Sequence, residues 1–279
     1  RDAIRIGSEQ PVSTGHRIEV INEKGDSPEV MFMPGVHGEA TLRLLWAPLG
    51  VDMSISGVSL DLDRCRAEYA RDEAVGAIDA CVHELSDQVL SRPGKALPVM
   101  VGYSIGGWIA FGVARECLRR GVRLPPPILI EPEFHVSLSG KDELRHRVRM
   151  FCDSVVNLDP IRRRLKRWRL RGGDLAELQT RDPRGRLPDA VDKEFSRVLV
   201  GSLLRYRPHS ADVEVRLVTR RTRHHRFAGW SQLAQGGIRH ERVDFKDHKD
   251  FFRFGSERVL LDIIRRHVLE VHSAGPSSI

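Results

Sequence analysis

Residues 97–118 constrain this chain more than any other stretch. A short apolar run with Val99, Met100 and Val101 leads into Gly102-Tyr103-Ser104-Ile105-Gly106-Gly107, and an amphipathic segment then continues to Leu118. The apolar run reads as a strand buried on both faces. The following segment reads as a helix, stopped by Gly121 and closed off by Pro125, Pro126 and Pro127. A G-x-S-x-G turn between strand and helix must be sharp and strained, so the residues two before and two after the serine must lack side chains. Gly102 and Gly106 meet that demand, and Gly107 lets the helix pack close. The turn raises the Ser104 hydroxyl to the top of the sheet, at the positive end of the new helix. The five-residue pattern alone is common; a strand before it and a helix after it make it specific.

The surrounding pattern supplies a sheet for this turn. Residues 29–33 form an apolar run ending at Pro34-Gly35, and residues 127–130 form another. Between them Val75, Ile78, Val82, Leu85 and Val89 step by threes and fours along one helix face. Residues 137–207 are charge-rich and read as helical, with Val198, Leu199, Leu203 and Leu204 on an apolar face. Strand–helix alternation resumes with a strand at 213–218, a short helix at 230–234, a strand at 239–245 and a helix at 256–268. We therefore expect an α/β protein with a mostly parallel central sheet flanked by helices. Residues 1–279 form one domain in this reading, its core about 17–136 and 208–270, interrupted by a helical lid insertion at about 137–207.

Charge raises the question of nucleic acid, because 45 Lys and Arg against 38 Asp and Glu leave a net +7. The basic residues concentrate at 162–171 and 216–226, in no recognisable nucleic-acid motif, so an acidic protein surface or a phosphate suits them better. No run of about 18 apolar residues is present to span a membrane, and residues 1–8 lack the apolar core of a secretory signal. Cys65, Cys81, Cys117 and Cys152 are scattered without close pairs, which argues for free thiols in a reducing, cytoplasmic setting and against a metal site. The chain opens on Arg1, not Met, and we expect a domain excised from something longer.

A serine hydroxyl needs a base to attack at neutral pH. In the fold that uses this elbow the base comes last in the chain. Among 12 histidines, His248 follows the late strand and precedes the final helix, where that base belongs. The acid commonly follows the strand before the last, but residues 220–224 hold Arg220, Arg221, Thr222, Arg223 and His224 and no carboxylate. Glu131, ending the apolar run 128–130, is the candidate instead, with Glu133 its nearest competitor. A carboxylate there would hold the imidazole in one tautomer and stabilise its charged form. For the oxyanion we expect the backbone amides of Ile105 and Val36, the latter being the first suitable donor after Pro34-Gly35. Tyr103 and His37 are expected beside the substrate, with Val198 and Leu203 facing an apolar chain.

These residues together resemble the thioesterase domains of polyketide synthases and nonribosomal peptide synthetases, which have the α/β-hydrolase fold. The early Met33-Pro34-Gly35 turn, the Gly102–Gly107 elbow, the acid slot at Glu131, the late Trp230 and the Asp247-His248 pair carry the likeness, over about residues 29–268 outside the lid. Two positions depart from the pattern: the usual Asp is Glu131, one methylene longer, and the usual Gly before Asp-His is Lys246. The resemblance implies a polyketide or peptidyl chain delivered on the phosphopantetheine of a carrier protein, transfer to Ser104, and release by hydrolysis or macrocyclisation. It implies no bound cofactor; we expect a monomer as an isolated domain, with the carrier protein, in the same megasynthase, as partner. Residues 161–171 would offer that carrier a basic docking face, or form a solvated face of the lid. A stand-alone editing thioesterase, an esterase and a catalytically inactive hydrolase-fold binding module are the competing readings.

Overall fold

The computed structural model describes residues 15–25, 27–33, 43–61, 64–65, 77–92, 96–132, 199, 201–203, 206–221, 229–245 and 257–273. Seven strands make one sheet: β1 (Arg17–Asn22), β2 (Glu29–Met33), β3 (Ser54–Ser59), β4 (Val99–Tyr103), β5 (Ile128–Ile130), β6 (Val215–Arg220) and β7 (Ile238–Val243). Their order is β1-β3-β2-β4-β5-β6-β7. Among the described residues only β1 runs antiparallel, on the edge against β3; every other pairing is parallel. Parallel neighbours require crossovers, and these are α1 (Arg43–Leu49), α2 (Ala77–Leu90) and α3 (Ile105–Arg119), with α4 (Trp230–Leu233) between β6 and β7 and α5 (Glu257–Ser273) after β7.

Helices cover both faces, which is why β2, β4, β5 and β6 are buried along their whole length. On one face Met31, Met33, Met100, Leu129 and Leu217 pack with residues of α2, α3 and α4. On the other, Val30, Phe32, Val101, Ile130 and Val218 pack with Leu45 and Leu49 of α1 and Leu260, Ile263 and Ile264 of α5. Successive strand residues thus feed opposite cores, as the two-residue period requires.

The strand order reverses beside β2: the chain steps to β3 on one side, then returns to β4 on the other. In open α/β sheets, ligands bind outside the carboxyl ends of strands at such a switch. Met33, the last residue of β2, pairs with Gly102, one residue before the end of β4, so both strands end together at this switch.

Strands 29–33, 97–101, 127–130, 213–218 and 239–245 and helices 105–118 and 256–268 appear within a few residues of where the sequence places them. Three elements, β1, α1 and β3, were not anticipated. The proposed lid at 137–207 lies almost wholly outside the described residues. Of its end, residues 199 and 201–203 are helical, and Leu199, Leu203 and Tyr206 join the core beneath α3.

Candidate active site

Ser104 sits between the last residue of β4 and the first of α3, with φ 55° and ψ −118°. An L-residue rarely holds that backbone state, and such strain gathers at functional sites. The glycines explain how the chain makes the turn. A Cβ on Gly102 would lie 2.2 Å from the carbonyl oxygen of Gly106 and 2.5 Å from the amide nitrogen of Gly107. One on Gly107 would lie 2.9 Å from Cβ of Pro132, so α3 approaches the end of β5 only because that side chain is absent. The Ser104 hydroxyl makes no capping bond to α3, so it is not spent on the helix that follows it. Ile105 is the first helical residue, and its amide is among those a helix leaves without an intrahelical acceptor.

Hydrogen bonds carry the ladder past the strands and line up the next residues. The Ser104 N–H donates to the carbonyl of Ile130 at 2.8 Å, and the Glu131 N–H donates to the carbonyl of Val218 at 2.9 Å. Ser104, Glu131 and the end of β6 thus form one row along the carboxyl edge of β4, β5 and β6. Glu131 has φ 48°, and it and Ser104 are the non-glycine residues with positive φ among the described residues. Two neighbours with positive φ mark this edge as a place where packing overrides local preference.

Glu131 is fully buried, and its carboxylate is held by Arg220, the last residue of β6. The Arg220 backbone N–H donates to Oε1 at 2.6 Å, and its Nε donates to Oε2 at 2.7 Å. The Arg220 side chain is 3% exposed, so the ion pair is out of water on both sides. The sequence reading finds no carboxylate at 220–224 and counts Arg220 only within the basic stretch 216–226, whereas the structure buries it in this pair. The missing signal was physical: a buried glutamate needs a partner, and the strand paired with β5 ends on an arginine.

Trp230 supports this edge from behind. Its Nε1 donates to the carbonyl of Pro132 at 2.8 Å, directly after Glu131. Its ring is buried against Trp108, at 4.5 Å between centroids, and meets Phe111 edge-on at 5.3 Å.

The remaining expected residues divide into two groups. Tyr103 is 2% exposed and packs in the core with Val101 and Ile130, while Leu203 is 8% exposed and packs in the opposite core. His248, Val36, His37, Val198 and Glu133 lie outside the described residues. β7 ends at Val243, which pairs with Arg220, at the same carboxyl edge of the sheet as Glu131.

No protein-family model matches the sequence, and a comparison with curated proteins likewise finds no match. Solved structures do match, over nearly the full chain. The Vlm2 thioesterase domain superposes with a TM-score of 0.60 at 19% identity, covering 91% of this chain and 98% of that domain. The NocB thioesterase domain, in covalent complex with a fluorophosphonate nocardicin G analog, gives 0.58 at 18% identity, covering 91% and 100%. The type II thioesterase BorB from the borrelidin biosynthetic cluster gives 0.57 at 15% identity, covering 90% and 96%. At such identities the likeness establishes the fold: this chain has the α/β-hydrolase fold of those thioesterase domains.

Proposed function

We propose that this chain is a serine thioesterase that releases an acyl or peptidyl chain from the phosphopantetheine thioester of a carrier protein. The observation that carries the reading is the strained Ser104 between β4 and α3, with its hydroxyl not used to cap the helix and Glu131 buried one strand away. It stands in a fold shared with thioesterase domains of two kinds.

In this mechanism Ser104 Oγ attacks the thioester carbonyl carbon while His248 takes the hydroxyl proton. The amides of Val36 and Ile105 stabilise the oxyanion. As the tetrahedral intermediate collapses, the C–S bond breaks and the thiol departs with the proton from His248, leaving an acyl ester on Ser104. Water, or a nucleophile within the acyl chain, then attacks the ester. His248 accepts its proton and returns it to Ser104, so the product is an acid or a macrocycle. Glu131 orients His248 and balances its charge. No cofactor enters these steps.

The Glu131–Arg220 ion pair favours one second reading, a hydrolase-fold binding module whose acid serves packing instead of catalysis. Turnover separates the two. Matched acyl thioesters and oxyesters should both be cleaved, the thioester faster, and Ser104→Ala should remove both activities. An oxyester preference would indicate an esterase, and no turnover on either would favour the binding module. Charge reversal at Arg162, Arg163 and Arg164 should slow release from a loaded carrier protein while sparing small thioesters; equal effects on both would remove carrier docking from the proposal.

A further inference from the structure

We infer that Arg220 is a positioning residue, which fixes the carboxylate of Glu131 in a single orientation for its part in the triad. The inference rests on the serine-thioesterase reading and deepens it. A glutamate has one more rotatable bond than an aspartate, so a triad built on Glu131 must restrain that extra freedom. Arg220 holds both carboxylate oxygens, Oε1 through its backbone N–H at 2.6 Å and Oε2 through Nε at 2.7 Å. The donors come from one residue at the end of the adjacent parallel strand, so the β5–β6 pairing sets the angle of the grip. Both side chains are buried, at 3% and 0% exposure, which keeps water from competing for these bonds.

A carboxylate offers about four acceptor positions on its two oxygens. The Arg220 bonds take one such position on each oxygen, so the grip engages both ends of the carboxylate. Arg220 also stands at the end of the strand before the last, where the fold commonly carries the acid itself. Acid and holder are thus on neighbouring strand ends, with the acid one strand closer to Ser104.

If Arg220 acts through Glu131, removing it must matter only while Glu131 is present. The test measures kcat and KM on an N-acetylcysteamine acyl thioester for the full chain, with the folded fraction of each variant determined by circular dichroism. The variants are Arg220→Met, Arg220→Lys, Glu131→Gln and Glu131→Gln with Arg220→Met. We expect Arg220→Met to lower kcat about tenfold or more with KM little changed, since a small misplacement of a catalytic group costs rate more than binding. Arg220→Lys should recover part of that loss. In the Glu131→Gln background, Arg220→Met should change kcat less than about twofold. Wild-type kcat in folded Arg220→Met, or the full loss repeated in the Glu131→Gln background, would overturn the inference while leaving the thioesterase reading intact. Failure of the wild type to acylate Ser104 would instead overturn that reading, and the inference with it. Should Arg220→Met not fold, Arg220→Lys against wild type and the uncharged double variant against Glu131→Gln carry the same comparison.

Discussion

Ser104 and Glu131 both have positive φ, but substitution at this edge exposes two different physical terms. At Gly102 the term is steric: the added methyl of Gly102→Ala would meet the Gly106 backbone at 2.2 Å, and neither side of the turn has a flexible side chain to move aside. We predict a loss of about 3 kcal/mol or more in denaturant unfolding, in the range of severe overpacking. At Glu131 the term is electrostatic. Glu131→Gln removes the carboxylate paired with Arg220, and breaking a buried pair from one side costs about 3–5 kcal/mol. Replacing both partners, as Gln and Met, should restore much of that stability without restoring activity; a double variant no more stable than Glu131→Gln would contradict the pairing. Ser104 was legible in the sequence because the elbow imposes glycine at fixed offsets. Arg220 was not, because an ion pair between residues 89 apart leaves no local pattern.

At the scale of elements, β2, β4 and β5 were legible as apolar runs and β6 and β7 from the resumed strand–helix alternation, whereas the two missed strands are not apolar runs. β3 reads Ser-Ile-Ser-Gly-Val-Ser and is nonetheless buried over most of its length. It tolerates this because Ser56 donates to Glu29 at 2.5 Å, and Glu29 in turn pairs with Arg92 at 2.8 Å. β1 is a largely exposed edge strand with little apolar signal of its own. The short helix α4 was legible from its buried tryptophan, though its service to the site was not. We predict that Trp230→Phe, which keeps most of the ring packing but loses the hydrogen bond to Pro132, costs about 1–2 kcal/mol. It should also lower kcat by disturbing the turn that carries Glu131. Unchanged kcat and unfolding midpoint would show that the bond is dispensable.

For the whole molecule, two cores on opposite faces of one sheet give the edge at Ser104 a rigid base, and acid should test that base in two steps. Burial holds the pKa of His267 below its usual 6.5, despite its hydrogen bond with the Pro126 carbonyl, with Arg216, Glu270 and Arg239 nearby. The unfolded chain therefore gains this proton first, and stability should begin to fall as pH drops through about 6.5. Hydrogen bonds from Arg119, then Arg120, hold the Glu116 pKa down at about 2, against an ordinary 4.5. Its contribution is fully present above 4.5 and is lost as pH falls toward 2. Urea unfolding across this range should show both declines, with His267→Gln flattening the upper one; an unchanged upper decline would place its origin elsewhere. The architecture itself was legible from strand–helix alternation, whereas these buried charges depend on contacts between distant segments.

The central claim is that Ser104 carries the acyl chain, and intact-protein mass spectrometry after incubation with an acyl thioester of N-acetylcysteamine tests it most directly. The account predicts a mass increase of one acyl group on the wild type, mapping to Ser104 and absent from Ser104→Ala. An adduct that persists in Ser104→Ala, or none on the wild type across several chain lengths, would contradict it.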